Sequence, residues 1–449
     1  MLSSPDADLV RRDPALPGLG TVLDPARFVA ALRAARPELG IEAVRVGHVH
    51  YKPGRECLVG YRLARSERAA EPADPGSTGT LRGTLDLYAV AQRRERWERK
   101  HPAEGHAPQD GHGRVSLAGE AVTVALFPDD LELGTLGHLF EADARTRLLR
   151  DLLPGCPDLR AGPVGTLAYK PQRRYVGRLL GPDGPLVLKV CAAKDYAATV
   201  ATAGALGSRG PLRIPRVLGC SDEHRVLAFE WLAGERLSDL VVQRGRTGGE
   251  PPRDAAALAG TALAALHAQP ADGLPRLARA EEARQLCARA EEVAHTFPPL
   301  AERAALLAHR LATRLRDAPT AEHPIHGDFY AKQVLLDGGR VGIIDLDQAA
   351  RGDPAFDLGR FIAHVERAAV RDGLPARHVA DLTRAFLDGY QAATGRPAPD
   401  RVGLYVAIGL LLMLRDPFRY HAPGWPEQTA AILARAEAVP FGAPARPIG

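Results

Sequence analysis

His326-Gly327-Asp328-Phe329-Tyr330-Ala331-Lys332-Gln333, followed after one short apolar strand by Ile343-Ile344-Asp345-Leu346-Asp347, is the stretch whose reading decides the fold. It sets one carboxylate in a tight loop, an amide five residues later, and a second carboxylate at the end of a strand. Phosphoryl transfer calls for these groups: a base that orients and deprotonates an incoming hydroxyl, and oxygen ligands that hold magnesium on nucleotide phosphates. Asp328 is the expected base, with Gln333 and Asp345 as the expected metal ligands. His-Gly-Asp alone would be a turn closed by an Asx hydrogen bond. The second carboxylate, in the right order and spacing, is what favours chemistry.

The pattern resembles that of the aminoglycoside phosphotransferases and their relatives, the choline, hexosamine and malto-sugar kinases. In them His-Gly-Asp is followed by four residues, an Asn, and then Ile-Asp-x-Asp. Gly352-Asp353-Pro354-Ala355-Phe356-Asp357-Leu358-Gly359 also follows as it does there. Gln333 departs from the usual Asn, presenting the same carbonyl on a stem longer by one methylene; some sugar-kinase branches carry it. The resemblance covers the second two-thirds of the chain. It implies an α+β, protein-kinase-like bilobal fold with a small β-lobe and a mainly α-helical C-lobe. It also implies ATP or another nucleoside triphosphate as donor, magnesium as cofactor, and a hydroxyl of an amino sugar, sugar or aminoglycoside-like molecule as acceptor. On the same resemblance His326 is expected to join Asp328 as a catalytic residue by supporting the loop, and Asp357 to brace it. The resemblance further implies that the backbone of a hinge at Glu230, Trp231 and Leu232 contacts the adenine.

Composition agrees with an ordinary globular protein: 449 residues, 45% hydrophobic and 25% charged. The 58 basic and 54 acidic residues leave a formal charge of +4, which gives no electrostatic footprint for nucleic acid or an anionic membrane. The five cysteines (Cys57, Cys156, Cys191, Cys220, Cys287) show neither metal-site nor disulfide spacing and are expected to be buried, reduced thiols. Residues 1–20 hold no apolar run of signal-peptide length, and the longest apolar run, Val402 to Leu414, falls short of a bilayer span. A cytoplasmic location is expected.

The first half carries an internal repeat. Val46-Gly47-His48-Val49-His50-Tyr51-Lys52-Pro53-Gly54-Arg55 and Val164-Gly165-Thr166-Leu167-Ala168-Tyr169-Lys170-Pro171-Gln172-Arg173 share Val-Gly and Tyr-Lys-Pro-x-Arg at identical spacing, each with further strands after it. A duplicated small β-lobe is the simplest account. Only the second copy has a lysine in its third strand, Lys189, the candidate that neutralises the α- and β-phosphates. The motif common to both copies is therefore expected to be a hairpin device. The helix glutamate that usually pairs with such a lysine is missing: no Glu lies between Cys191 and Asp222, and Asp195 reads as a helix N-cap.

Helical periodicity is expected over 22–36, 254–267, 281–315, 356–369 and 379–393, and a strand over 83–90. Residues 65–82 and 99–114 read as exposed loops, the second holding His101, His106 and His112 at spacing too irregular for a metal tract. The organisation expected is a degenerate β-lobe at 1–150, a catalytic small lobe at 151–232 and a helical lobe with the catalytic loop at 233–449. The rival expectation is a nucleotide-binding pseudokinase or scaffold.

Overall fold

The computed structural model describes residues 2–65, 87–101, 113–155, 162–181 and 184–441. The protein is mixed α and β, with antiparallel sheets and many helices, in two compact units. The first comprises Met1–Tyr196, Leu218–Glu230 and Pro417–Trp425; the second comprises Ala197–Val217, Trp231–Asp416 and Pro426–Gly449.

The first unit opens with α1 (Ser4–Arg12), α2 (Leu19–Leu23) and α3 (Pro25–Ala35). The helix predicted over 22–36 is thus split at Asp24, whose side chain accepts from the N–H groups of Ala26 (3.0 Å) and Arg27 (3.2 Å) and caps α3. Pro25 then occupies a position whose N–H has no helical partner to lose. An antiparallel sheet follows, built from β1 (Ile41–Lys52), β2 (Glu56–Arg65), β3 (Leu87–Gln92), β4 (Arg114–Leu117) and β5 (Val122–Leu126) in the order β1-β2-β3-β5-β4, with α4 (Arg94–Lys100) after β3. β3 is buried at all six positions, a run covered on both faces. Of the strand predicted at 83–90 and the loops at 65–82 and 99–114, residues 66–86 and 102–112 lie outside the described residues, and with them His106 and His112. His101 stacks on Trp97.

After α5 (Ala142–Leu152) comes a second five-stranded sheet: β6 (Gly165–Lys170), β7 (Arg174–Gly181) and β8 (Gly184–Cys191), then α6 (Ala193–Thr202). β9 (Leu212–Arg213) belongs to the second unit, and β10 (Val217–Ser221) and β11 (Val226–Glu230) complete the sheet in the order β6-β7-β8-β11-β10. Tyr88, Val90 and Ala125 of the first sheet share one buried cluster with Tyr175, Leu188 and Val190 of the second. Asp195 is in the first turn of α6 rather than at its N-cap, because the helix already starts at Ala193.

The two Tyr-Lys-Pro-x-Arg segments form the first turn of each sheet, and the same bonds close both. The Tyr51 hydroxyl and the Gly54 N–H each donate to Oδ2 of Asp13 at 2.8 Å. The Tyr169 hydroxyl (2.7 Å) and the Gln172 N–H (2.9 Å) donate to Oδ2 of Asp130. Gly54 and Gln172 both take left-handed backbone angles, with φ of 62° and 58°. Burial, and then the accepting carboxylate, push both phenols above their usual range.

In the second unit, β12 (Glu235–Arg236) leads into α7 (Leu237–Thr247), α8 (Arg253–His267), α9 (Arg279–Thr296) and α10 (Ala301–Asp317). The helix expected over 281–315 is broken by Pro298 and Pro299, which occupy a short 3₁₀ turn. Then come β13 (His323–Ile325), β14 (Val334–Asp337), β15 (Arg340–Ile343), β16 (Ala350–Gly352) and the helices α11 (Pro354–Asp372), α12 (Ala376–Thr394) and α13 (Val402–Leu412); α14 (Asp416–Arg419) belongs to the first unit from Pro417 on, and α15 (Trp425–Ala438) to the second from Pro426 on. Strands pair as β12-β14-β15-β9 and β13-β16. Leucine- and alanine-rich faces of α8 to α13 make one core. α8 and α12 approach closely because Gly260 and Gly389 face each other's backbone: a Cβ on Gly260 would lie 2.1 Å from the Phe386 carbonyl oxygen. Among the described residues no helix is long and apolar enough to cross a membrane. Cys57 and Cys191 are buried as expected, but Cys220 and Cys287 are exposed, since they fall on outward positions of β10 and α9.

Candidate active site

The loop between β13 and β14 is held by a carboxylate beneath it. Asp357, in the first turn of α11 and fully buried, accepts from the N–H of His326 (2.6 Å, Oδ2) and of Gly327 (3.0 Å, Oδ1). His267 touches Oδ2 of Asp357 through Nε2 at 3.0 Å, while its Nδ1 meets the Tyr390 hydroxyl at 3.0 Å. His267 is thus a satisfied helix-end histidine that fixes the brace. Gly327 has φ of 78°, and a Cβ there would sit 2.0 Å from the Gln348 carbonyl oxygen, so both backbone angle and space require glycine.

His326 carries the bonding from the loop to the second carboxylate. Its Nδ1 accepts from the Asp328 N–H (3.2 Å), which leaves Nε2 protonated to donate to the Ile344 carbonyl at 2.9 Å. Ile344 immediately precedes Asp345, and the Ile344 N–H returns to the Gln333 carbonyl at 3.0 Å. Asp345 has φ of 66°, a left-handed angle uncommon outside glycine but tolerated by Asp, of the sort held in place at functional sites. Gln333 Nε2 donates to Asp345 Oδ2 at 3.3 Å. The loop, its amide and both carboxylates therefore form one hydrogen-bonded group.

The amide oxygen of Gln333 and the Asp345 carboxylate are hard oxygen donors of the type magnesium takes. Two such side chains suit an ion that completes its shell with phosphate oxygens and water, and the direct Gln333–Asp345 bond places the pair close enough to share it.

Asp328 has a partner that motif reading missed. Arg360, one turn beyond Asp357 on α11, donates to Oδ1 of Asp328 through both Nη2 (2.7 Å) and Nε (3.1 Å). Burial alone would raise the Asp328 carboxyl, but the charge and hydrogen bonds of Arg360 hold it below the usual carboxylate range. Four residues further along the helix, the His364 ring stacks on Tyr330 at 4.2 Å; burial and the charges of Arg360 and Arg367 keep it neutral at neutral pH. The available signal was spacing: if Asp357 braces the loop, the residues three and seven positions on face it too.

The remaining predicted residues occupy separate places. Lys189 is buried in β8 with Val176 and Leu227 as its register partners. Glu230 ends β11, in register with Leu186, while Trp231 and Leu232 begin the long segment of the second unit. Asp195 lies 3.8 Å from Arg173. Three acidic residues of α11 and α12 that could otherwise meet a cationic acceptor are paired with arginines: Glu366 with Arg435 (2.5 and 2.7 Å), Asp381 with Arg253 (2.6 Å) and Asp372 with Arg371.

No curated protein matches the chain. Among solved structures it is similar to a choline/ethanolamine kinase family protein from Mesorhizobium loti (21% identity, 67% of this chain, 94% of that one, TM-score 0.45). It is also similar to a macrolide 2'-phosphotransferase type I (22%, 66% and 97%, TM-score 0.45). A third is a thermostable mutant aminoglycoside phosphotransferase in a ternary complex with ADP and hygromycin B (19%, 62% and 93%, TM-score 0.42). A sequence profile of the phosphotransferase enzyme family matches residues 173–405, a span that holds Lys189, the braced loop and both carboxylates. Since that span is just over half of the chain, the protein belongs to the phosphotransferase enzyme family.

Proposed function

We propose that the protein is a small-molecule kinase that moves the γ-phosphate of ATP to a hydroxyl of a sugar, amino sugar or aminoglycoside-like molecule, with Asp328 as the group that receives the hydroxyl. The observation that carries the proposal is the hydrogen-bonded continuity from Asp357 through His326 to Asp328 and Asp345. It ties the Asp328 loop and the Ile344 backbone next to Asp345 to one support, which favours reading the two carboxylates as base and metal ligand.

Each residue then has a task. Asp328, held ionised by Arg360, accepts a hydrogen bond from the acceptor hydroxyl and aims its oxygen at the phosphorus. A carboxylate of such low basicity suffices, because phosphoryl transfer through a loose transition state depends on positioning more than on early proton removal. His326 keeps the loop in register, and Gln333 and Asp345 hold magnesium. When bound, magnesium neutralises charge on the phosphates. Lys189 supplies the cation for the α- and β-phosphates, and the backbone of Glu230, Trp231 and Leu232 meets the base. The fold we infer is bilobal and kinase-like, with a degenerate β-lobe at 1–150, a catalytic small lobe at 151–232 and a helical lobe at 233–449. The common strand order and the common Tyr–Asp lock support a duplicated lobe.

A screen of magnesium-dependent ATP consumption over amino sugars, maltose, choline and aminoglycosides tests the proposal. Acceptor-stimulated turnover with at least one member is expected. Silence across the panel, with ATP binding intact, would move the protein to the nucleotide-binding scaffold reading.

A further inference from the structure

We propose that Arg360 is a positioning residue for the transfer step, fixing which oxygen of Asp328 receives the acceptor hydroxyl. Resting on the kinase reading above, the inference assigns a role to a residue that lies outside the His-Gly-Asp and Ile-Asp-x-Asp motifs.

The argument is geometric. A guanidinium commonly meets a carboxylate with one N–H on each oxygen. Here both N–H groups converge on Oδ1, at 2.7 and 3.1 Å, and no described residue is hydrogen-bonded to Oδ2. One oxygen is consequently pinned and the other is left for the hydroxyl. The side chains of Arg360 and Asp328 are 22% and 31% exposed, so the pair lies at the rim of solvent, open to a small molecule but partly shielded. Arg360 is itself held from a second side, because α11 is anchored by Asp357 under the same loop and by Asp353 at its N-cap. A lone aspartate on a loop would sample several rotamers; a planar fork on a packed helix selects one.

The charged and titratable groups facing this pair are few. His326 and His364 face Asp328, while Asp416 and Tyr330 face Arg360, and Asp416 is also 3.4 Å from Arg367. His364 is neutral, so Arg360 is the full positive charge against Asp328. Its removal has two separable effects: loss of charge, which makes Asp328 more basic, and loss of the fork, which frees its rotamer.

Arg360→Gln and Arg360→Lys separate these effects in the full-length protein. The Asp328 carboxyl is titrated by NMR with carboxyl-labelled aspartate, assigned through Asp328→Asn, and the ATP-consumption assay is run over pH. In Arg360→Gln the Asp328 midpoint should rise by at least about one pH unit, the usual effect of an adjacent arginine. The acid limb of kcat should move up with it, and kcat should fall by about tenfold or more while the KM for ATP is unchanged. Arg360→Lys should keep the low midpoint yet recover only part of kcat, because one ammonium cannot pin one oxygen with two bonds. An unmoved Asp328 midpoint in folded Arg360→Gln overturns the inference, as does full turnover in either variant. The titration needs no acceptor, so a failure of the kinase reading, seen as no ATP consumption by the parent, is distinguishable from a failure of this one.

Discussion

The two five-stranded sheets of the first unit share a strand order and a turn lock but differ in charge at one position in the third strand. In β8, Lys189 lies opposite Val176 of β7; in β3, the residue opposite Leu58 of β2 is Val90. Leu58 and Val176 occupy the same place in the two repeats, each one residue beyond the partner of the motif tyrosine. Both third-strand positions are buried, at 6% exposure for Lys189 and 4% for Val90. A frame can thus be kept for packing while a buried lysine is present in one sheet only. A buried lysine is costly unless something pairs with it, and a valine at the same place carries no such need. On the function proposed above, this difference sets β8 apart as the strand with a task and leaves β3 as scaffold.

The largest expected break of this comparison is at that position. Lys189→Ala should lower ATP turnover by about 10²-fold, the scale of one lost charge-stabilising donor. Val90→Ala should leave the KM for ATP unchanged and cost about 2 kcal/mol of stability through its cavity. Steady-state kinetics beside chemical denaturation reads both, and an equal kinetic effect of the two substitutions would end the distinction.

The turn locks come next. Asp13→Ala and Asp130→Ala each strand a buried phenol and a backbone N–H, and each should cost about 3 kcal/mol. Only Asp130→Ala, which loosens the β6–β7 turn next to β8, should also weaken ATP binding by calorimetry. Weakened binding in folded Asp13→Ala would give the first sheet a part in the nucleotide site. The smallest effect is expected from Tyr51→Phe and Tyr169→Phe, at about 1 kcal/mol each, because Asp13 and Asp130 keep their backbone donors. A cost near zero in one of them would mean that the two locks are not equivalent.

What could be read without coordinates follows from how local each signal is. His326 to Asp345 carries its motif within twenty residues, and the periodicity of α8, α11 and α12 follows from their apolar faces. The repeat gave the hairpins, since Tyr-Lys-Pro-x-Arg encodes a turn locally. The lock itself was hidden, because Asp13 and Asp130 stand 38 and 39 residues before their tyrosines. That near-equal offset was a usable signal once the repeat was known. Arg360 was hidden for a different reason: 32 residues separate it from Asp328, and a helix arginine has no local mark of function. The exposed thiols Cys220 and Cys287 were misjudged because burial of a single residue depends on which face of its strand or helix the fold covers.

The central claim is that Asp328 is where the acceptor hydroxyl is received. ATP binding and phosphoryl transfer measured side by side for the parent and Asp328→Asn, with an acceptor from the screen, test it most directly. The substitution preserves the size of the side chain and removes the charge that attracts the hydroxyl proton. ATP affinity should be unchanged and transfer should fall by roughly 10²- to 10⁴-fold, the usual worth of a positioned base. Transfer at the parent's rate in Asp328→Asn would contradict the account.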